Sequence, residues 1–195
     1  MAIDTLLVKE KIKEVLTKSR YEHTLGVAQT AACLAMRYHI SSEEAYLAGL
    51  LHDNAKCIDD ENMRALCREC KIPMNSVEEK NPYLLHGKLG AYYAKNKFFV
   101  ENEEICSAIA YHTTGKPAMT LLEQIVFVAD YIENGRQPLP DIEAIRQTAF
   151  ENLELAVLQI LESTLNYLRR ITSEDSIDPI TVETYEYYKK KWMRP

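Results

Sequence analysis

The stretch Ala48-Gly49-Leu50-Leu51-His52-Asp53-Asn54-Ala55-Lys56 places an imidazole beside a carboxylate directly after an apolar run. Neighbouring residues on a helix point about 100° apart, so His52 and Asp53 reach a common ion only near a helix end or from a partly buried face. Lys56 follows Asp53 by about one helical turn and is expected to face the same side. The stretch therefore predicts a metal beside an anionic substrate, although the dipeptide alone is weak evidence.

Around this stretch the chain is predicted to be helical nearly throughout, because glycines and runs of β-branched residues are few. This pattern indicates an all-α fold. The predicted helices span about 4–18, 20–39, 41–53, 82–97, 103–113 and 121–133, followed by a long amphipathic helix marked by Leu153 to Leu168 and a last helix after 180.

Side chains that cap helices set the predicted boundaries. Ser19, Asn102 and Thr181 are expected to be N-caps, and Asn81-Pro82 is expected to open a helix. Two capping boxes are predicted, Ser41 with Glu44 and Thr120 with Glu123. The polar stretch 59–80 is predicted to hold one short helix between loops, and Pro138-Leu139-Pro140 is expected to break the chain.

The composition limits the classes of function. A length of 195 residues fits one domain, and the formal net charge of −6 argues against a surface that coats nucleic acid. The first residues lack the features of a signal peptide, and no apolar run reaches the roughly 18 residues of a membrane helix. Five cysteines without framework spacing fit reduced thiols, so we expect a cytoplasmic protein that binds neither membrane nor nucleic acid.

The pair Cys67 and Cys70 has the spacing of half a zinc site. A second Cys-x-x-Cys is missing from the sequence, and the pair falls in a polar stretch that is predicted to be helical. Ordinary thiols are therefore favoured over a structural or redox role.

The strongest signal is the order of the histidines and carboxylates along the whole chain. His23 lies on the second predicted helix, His52-Asp53 ends the third, and later helices carry His86, His112 and Asp130. Helices packed as a bundle can project such side chains into one interior site. Imidazoles and carboxylates suit a hard or borderline metal, and the alternative is a buried network of hydrogen bonds. His39 follows a helix end and is interpreted as structural.

This order of ligands resembles the HD-domain metal-dependent phosphohydrolases. Four further segments narrow the resemblance: Ser19-Arg20-Tyr21-Glu22-His23-Thr24, Leu85-His86-Gly87, the stretch from Tyr111 to Met119 that contains His112-Thr113-Thr114-Gly115, and the stretch from Phe127 to Arg136 that contains Ala129-Asp130-Tyr131-Ile132-Glu133. Together they resemble the YqeK family of bacterial symmetrical bis(5′-nucleosyl)-tetraphosphatases over about residues 15–190.

The resemblance implies an HD-domain helical bundle with a central metal site, spanning 1–195 as a single domain. It implies that His23, His52, Asp53 and Asp130 ligate a divalent metal, with iron the expected one and the number of ions, one or two, left open. His86 and His112 either bind a second metal or contact phosphate oxygens, and the sequence does not choose between these roles.

The implied reaction is the symmetrical hydrolysis of diadenosine tetraphosphate and related dinucleoside tetraphosphates to two nucleoside diphosphates by metal-activated water. Asp53 and Lys56 are the expected catalytic residues, and Lys56, Arg20 and Arg136 are expected to neutralise the phosphates. The residues expected to bind the nucleotide substrate are Arg20, His23, Asp53, Lys56, His86, His112, Thr113, Asp130 and Arg136.

Other interpretations stay open at this stage. One is a nucleoside monophosphate phosphatase of the same superfamily, and another is a nucleotide-binding sensor without turnover. The segment 173–181 either contacts the nucleotide or is a plain capping loop, and the apolar N-terminal helix could pair two copies as a homodimer.

Overall fold

The computed structural model describes residues 3–136, 139 and 141–192. Within these residues the chain is helical and contains no strand, which confirms the all-α prediction. The helices are α1 (Thr5–Val15), α2 (Lys18–Arg37), α3 (Ser42–Leu51), α4 (Asp60–Glu69), α5 (Ser76–Lys80), α6 (His86–Lys97), α7 (Glu103–Tyr111), α8 (Leu121–Ile132), α9 (Ile142–Glu151), α10 (Leu153–Ile171) and α11 (Pro179–Trp192), with short 3₁₀ helices at Pro82–Leu85 and Glu174–Ser176.

Two predicted N-caps are wrong, one by two residues and the other by three. Thr17, not Ser19, caps α2, because its extended backbone lets its hydroxyl accept the backbone N–H three residues later at 3.3 Å. Thr181 lies inside α11, which begins earlier at Pro179. Proline suits a first helical position because it has no N–H to leave unpaired, and the preceding Asp178 carboxylate accepts a backbone N–H of the first turn at 3.1 Å.

Of the two predicted capping boxes, one forms completely. Thr120 and Glu123 exchange both hydrogen bonds at the start of α8. At the start of α3, Ser41 accepts the Glu44 N–H at 3.2 Å, but the Glu44 carboxylate instead accepts the side-chain amide of Asn102 at 2.8 Å. Asn102 also caps α7 as predicted, so this contact joins the first turns of two helices.

Several helices were misplaced or missed by the sequence pattern. The stretch 59–80 holds two helices, α4 and α5, because Asp59 and Asn75 each cap a separate first turn. Pro82 opens a 3₁₀ turn, and α6 begins only at His86. The helix α9 was not predicted. In the predicted break, Pro138 and Pro140 lie outside the described residues.

The helix α8 forms the centre of the fold. All eight residues from Leu122 to Ala129 are buried, so α8 has no solvent-facing stripe over this stretch. The main hydrophobic core joins residues from Val8 in α1 to Tyr188 in α11 around it, and a smaller core lies among α4, α6 and the first 3₁₀ helix. The central helix therefore brings the interior faces of α2, α3 and α7 towards one place.

Among the described residues, no helix combines the length and the apolar character needed to cross a membrane. On α1, Leu6 and Leu7 are exposed, as is Val15 near its end. These are the side chains through which a second copy would pair, and the homodimer stays a prediction.

The helices α2 and α3 pack closely against each other at Gly49. A Cβ atom at this position would lie 2.8 Å from the Ala28 Cα, which is backbone that cannot rotate away. We expect Gly49→Ala to lower the free energy of unfolding by about 1–3 kcal/mol despite the better helix propensity of alanine. Urea unfolding measures this change.

Gly90→Ala is the matched control. Its Cβ would meet side-chain atoms of Asn54 and Ile109 at 3.3 and 3.4 Å, which can adjust by a few tenths of an ångström. The control should therefore lose less stability than Gly49→Ala, and equal losses in the two variants would contradict the proposed close contact.

Candidate active site

The predicted site residues converge on the interior beside α8. The helix α2 supplies Arg20 and His23, and the end of α3 with the following turn supplies His52, Asp53 and Lys56. His86 comes from the start of α6, and His112 and Thr113 come from the end of α7. The last turns of α8 supply Asp130, and the segment after α8 supplies Arg136. Contacts of 2.9–4.0 Å link all of these side chains.

Three of the histidines stand directly after a helical segment and are oriented in the same way. In each, the ring Nδ1 lies within hydrogen-bonding distance of the carbonyl oxygen three residues earlier, which the helix end leaves unpaired. The pairs are His52 with Gly49 at 2.7 Å, His86 with Tyr83 at 2.6 Å and His112 with Ile109 at 2.7 Å.

A carbonyl oxygen only accepts hydrogen bonds, so each of these Nδ1 atoms must be the protonated nitrogen. The neutral ring then carries its lone pair on Nε2, which faces the interior of the site. His23 has the same arrangement, because its Nδ1 lies 3.0 Å from the carboxylate of Glu133. In their neutral forms the four imidazoles therefore present free nitrogens to one region.

Asp53 lies between these rings and is only 2% exposed. One of its oxygens, Oδ2, accepts the Arg20 guanidinium at 2.9 Å and lies 3.4 Å from His52 Nε2. The other, Oδ1, lies 3.3 Å from His86 Nε2 and 3.5 Å from His112 Nε2. Burial alone would raise the pKa of Asp53, but His52 and the other two rings hold this pKa well below its usual range. The carboxylate is therefore ionised at neutral pH.

Asp130 is the second carboxylate of the site. Its Oδ1 lies 3.0 Å from His23 Nε2, 3.8 Å from His52 Nε2 and 4.0 Å from the Arg136 guanidinium. Burial would raise the pKa of Asp130, but the contact with His23 and the nearby cations lower it. The same carboxylates raise the pKa of His52, although burial of that ring opposes them.

The geometry fits a divalent metal. Among the described residues, two overlapping groups could each hold an ion, His23 with His52 and Asp130, and His52 with Asp53 and His112, with their ligand atoms within 4.8 Å of one another. The buried Nε2 atoms of His23 and His52 make no hydrogen bond within the described structure. Buried polar atoms rarely stay unpaired, and a cation placed among these lone pairs would satisfy both.

A second part of the site already contains its own donors. The Nε2 atoms of His86 and His112 lie 3.0 Å apart, so their lone pairs would repel unless a donor or cation lay beside them. Lys56 Nζ lies 3.3 Å from His86 Nε2, and the Thr113 hydroxyl lies 3.3 and 3.0 Å from the two rings. Burial lowers the pKa of His86 to about 4, and the Lys56 ammonium acts in the same direction, so His86 is a neutral acceptor. Burial also lowers the pKa of Lys56.

Comparison with known proteins places this site in a family. The HD domain family model matches residues 20–135. The chain is 41% identical to the symmetrical bis(5′-nucleosyl)-tetraphosphatase of Halalkalibacterium halodurans over 89% of this chain and 91% of the relative. This chain belongs to the HD-domain family of symmetrical bis(5′-nucleosyl)-tetraphosphatases. The predicted resemblance is confirmed.

Two further comparisons agree with the HD-domain assignment. The protein of the same name from Bacillus subtilis is 38% identical over 90% of this chain and 92% of its own length. A crystal structure from Clostridium acetobutylicum, described as a "predicted HD superfamily hydrolase involved in NAD metabolism", superposes with a TM-score of 0.91 and 33% identity over 96% of this chain and 98% of that one. The fold class is therefore confirmed.

Sequence reasoning missed Glu133 as a residue of this HD-domain site. The family-like segment after Asp130 contains Glu133, but only the structure places its carboxylate against His23. The spacing of three residues from Asp130 was the available signal, because residues three apart share a helix face. A cleft of about 590 Å³ beside the site is lined by Arg20, His23, Glu133 and Arg136, among other residues.

Cavity size would not have identified the site. A larger cleft of about 760 Å³ lies between α1, α2, α3 and the loop before α7, and its described lining contains apolar and acidic side chains such as Met36, Phe99 and Glu44.

The segment 173–181 contacts the start of α5, where Asp178 accepts the side-chain amide of Asn75 at 3.2 Å. Nucleotide contact by this segment stays a prediction.

The cysteines of this HD-domain protein are free thiols. Burial raises the pKa of Cys67 to about 11, so at pH 8 roughly one molecule in a thousand carries the reactive thiolate there. We expect iodoacetamide at pH 8 to modify the exposed Cys33 and Cys57 much faster than Cys67, as measured by peptide mass spectrometry. Equal rates in the folded protein would contradict this expectation, and urea-unfolded protein, in which all sites should react alike, is the control.

Proposed function

We propose that this chain hydrolyses diadenosine tetraphosphate and related dinucleoside tetraphosphates symmetrically, releasing two nucleoside diphosphates. The observation that carries the proposal is the convergence of four imidazole lone pairs and two ionised carboxylates beside Lys56, Arg20 and Arg136. Such a site suits a polyphosphate, whose transfer reactions need charge neutralisation more than a protein nucleophile. The names of the relatives at 38–41% identity support the choice of substrate.

A divalent metal is proposed at His23, His52, Asp53 and Asp130, with iron as the metal. Imidazole nitrogens combined with carboxylate oxygens, without a thiolate, are a donor set that suits iron. When bound, the metal lowers the pKa of a coordinated water and polarises the phosphoryl oxygen. Asp53 is the central ligand, because its second oxygen faces His86 and His112 and links the metal group to the rest of the site.

His86 and His112 are proposed to hold the Lys56 ammonium and the Thr113 hydroxyl towards the phosphate oxygens rather than to bind a resident second ion, because their neutral Nε2 atoms accept from these donors. Their Nε2 atoms already have Lys56 and Thr113 as neighbouring donors, whereas the Nε2 atoms of His23 and His52 have no hydrogen-bond partner in the described structure. A metal at the first pair therefore satisfies atoms that nothing else satisfies. A metal at the second pair would have to displace Lys56.

The cations of the chain are proposed to flank the scissile bond. Lys56 lies at the His86 side of the site and Arg136 at the Asp130 side, while Arg20 holds Asp53 between them. About one third of each arginine side chain is exposed, so guanidinium N–H groups remain free to meet phosphate oxygens. Cations on two sides of the metal group suit hydrolysis of the central phosphoanhydride bond, which leaves two phosphates on each nucleoside product.

Asp53→Ala should abolish both metal binding and turnover, because it removes the carboxylate that joins Arg20, His52, His86 and His112. The measurement is metal content by elemental analysis together with chromatographic product analysis of diadenosine tetraphosphate. His39→Ala is the matched control, since His39 is an exposed histidine outside the site and its loss should leave both readouts unchanged.

The products separate this proposal from its alternatives. Two molecules of adenosine diphosphate support it, while release of nucleoside and inorganic phosphate from nucleoside monophosphate alone would point to a monophosphate phosphatase. Tight nucleotide binding without hydrolysis across several divalent metals would indicate a sensor. Full activity of Asp53→Ala would exclude the assigned site.

Lys56→Gln tests the phosphate contact separately from the metal. The substitution removes the positive charge beside His86 but none of the proposed metal ligands, so kcat/KM for diadenosine tetraphosphate should fall by about 100-fold while metal content stays the same. Lys13→Gln on the exposed face of α1 is the control for loss of a lysine charge. A Lys56→Gln enzyme with unchanged kcat/KM would remove Lys56 from the catalytic assignment.

A further inference from the structure

Glu133 is buried where a helix end disfavours an acidic side chain. It is 2% exposed and stands at the C-cap of α8, the end at which the helix dipole favours cations. A buried carboxylate in this position lowers stability unless its partners compensate for the lost hydration. The partners of Glu133 therefore indicate why it is there.

The two carboxylate oxygens of Glu133 accept from two different donors. Oε1 lies 3.0 Å from His23 Nδ1 on α2, and Oε2 lies 2.6 Å from the backbone nitrogen of Gly135. Each donor uses one oxygen of Glu133. A group that only donates, placed where either oxygen lies, would therefore leave one of the two N–H groups without an acceptor.

The first contact determines which nitrogen of His23 is free. The carboxylate keeps the hydrogen on Nδ1, so the lone pair of the neutral ring stays on Nε2, which lies 3.0 Å from Asp130. Without this acceptor the ring could carry its hydrogen on Nε2, where the proposed metal would bind. Carboxylates that hold metal-binding histidines in this way raise ligand basicity and fix the ring orientation.

The second contact holds the turn that leads to Arg136. The Arg136 N–H donates to the Glu133 carbonyl at 3.1 Å, and the Gly135 N–H donates to the Glu133 side chain within the same turn. This turn brings the Arg136 guanidinium to 4.0 Å from Asp130. The Glu133 carboxylate thus contacts both His23, a proposed metal ligand, and the turn that carries Arg136, which is proposed to bind phosphate.

The backbone around Glu133 is held independently of this side chain. Arg146 on α9 donates to the Glu133 carbonyl and to the Ile132 carbonyl, each at 2.9 Å. A change confined to the carboxylate therefore leaves the end of α8 anchored. Space for the carboxylate comes from Gly26 on α2, where a Cβ atom would lie 2.4 Å from Glu133 Oε2.

We propose that Glu133 is a positioning residue that sets the tautomer of His23 and the placement of Arg136, and so couples metal affinity to substrate affinity. This inference rests on the proposed metal site.

Glu133→Gln is the discriminating variant, because glutamine has the same shape but only one oxygen. Its amide must turn an NH₂ group towards either Gly135 N–H or His23 Nδ1. In the first case the turn to Arg136 loses its acceptor, and in the second the hydrogen of His23 is driven to Nε2. Either placement of the amide damages one of the two functions.

The experiment uses Co²⁺ as the metal probe with the intact chain. If the NH₂ group faces His23, we expect Glu133→Gln to bind Co²⁺ about 10–100-fold more weakly than the unaltered protein, with an altered visible absorption spectrum of the bound ion. If it faces Gly135, we expect Co²⁺ affinity to be retained and the loss to be seen in substrate affinity. In excess chelator, the melting temperature of Glu133→Gln should fall no further below that of the unaltered protein than the melting temperature of Glu78→Gln does. In enzyme saturated with metal, the KM for diadenosine tetraphosphate should rise.

Glu78→Gln is the matched control. Glu78 is also buried and also accepts one backbone N–H, that of Asn75 at 2.8 Å, and one side chain, that of Lys88, but it contacts none of the site histidines. Its Co²⁺ affinity should equal that of the unaltered protein, and a comparable loss of affinity there would show that any buried glutamate has this effect and would overturn the inference.

Gly26→Ala is a second test if Glu133→Gln fails to fold. The added methyl group displaces the carboxylate from its position without removing it, so Co²⁺ affinity should again fall. Unchanged Co²⁺ affinity together with an unchanged KM in Glu133→Gln, or unchanged Co²⁺ affinity in Gly26→Ala, would overturn the positioning role. Absence of Co²⁺ binding by the unaltered protein is a different result, because it would overturn the proposed metal site itself.

Discussion

The burial of the Asp53 carboxylate is the constraint on which the arrangement of this bundle depends. An ionised carboxylate removed from water costs several kcal/mol unless cations and donors surround it. Here the surrounding groups come from separate parts of the chain, with Arg20 on α2, His86 at the start of α6 and His112 at the end of α7. The close contact of α2 with α3 at Gly49 keeps the His52-Asp53 turn near Arg20. The packing of these helices therefore also supplies the donors and cations that the buried Asp53 carboxylate requires.

The ends of helical segments convert this packing into ligand geometry. His52, His86 and His112 each use an unpaired carbonyl three residues earlier to hold Nδ1, and this leaves Nε2 to face the centre. The same contact satisfies an orphan carbonyl of the helix end and selects the tautomer whose free Nε2 can bind a metal or accept from a donor such as Lys56 or Thr113. His23 lies in the second turn of α2, where backbone carbonyls are already bonded within the helix. It therefore needs a side-chain acceptor, which Glu133 provides from 110 positions further along the chain.

The features that the sequence predicted well are those with local causes. The caps at Asn102 and Thr120 were predictable because their hydrogen bonds join residues two or three apart. That the site residues would meet was also predictable, because histidines and carboxylates suited to metal chemistry stand on several separate helices of one bundle. The contact of Glu133 with His23 was not predictable, since it depends on how α2 packs against the end of α8. The same applies to Glu44, whose carboxylate leaves its own capping box for Asn102, 58 positions away.

The site has two unequal halves that meet at His52 and Asp53. In the half with His23 and Asp130, buried ring nitrogens face carboxylate oxygens, and His23 and His52 lack a hydrogen-bond partner within the described residues. In the half with His86 and His112, Lys56 and Thr113 already stand at the ring nitrogens. A cation would lower the energy of the first half directly, because the ring nitrogens of His23 and His52 have no hydrogen-bond partner there, whereas the nearby arginines contact the carboxylates. In the second half the charge is already present as an ammonium, and an anion is the complementary guest. This division supports the proposal that the metal and the phosphate chain occupy neighbouring halves, and Asp53 faces both halves with one oxygen each.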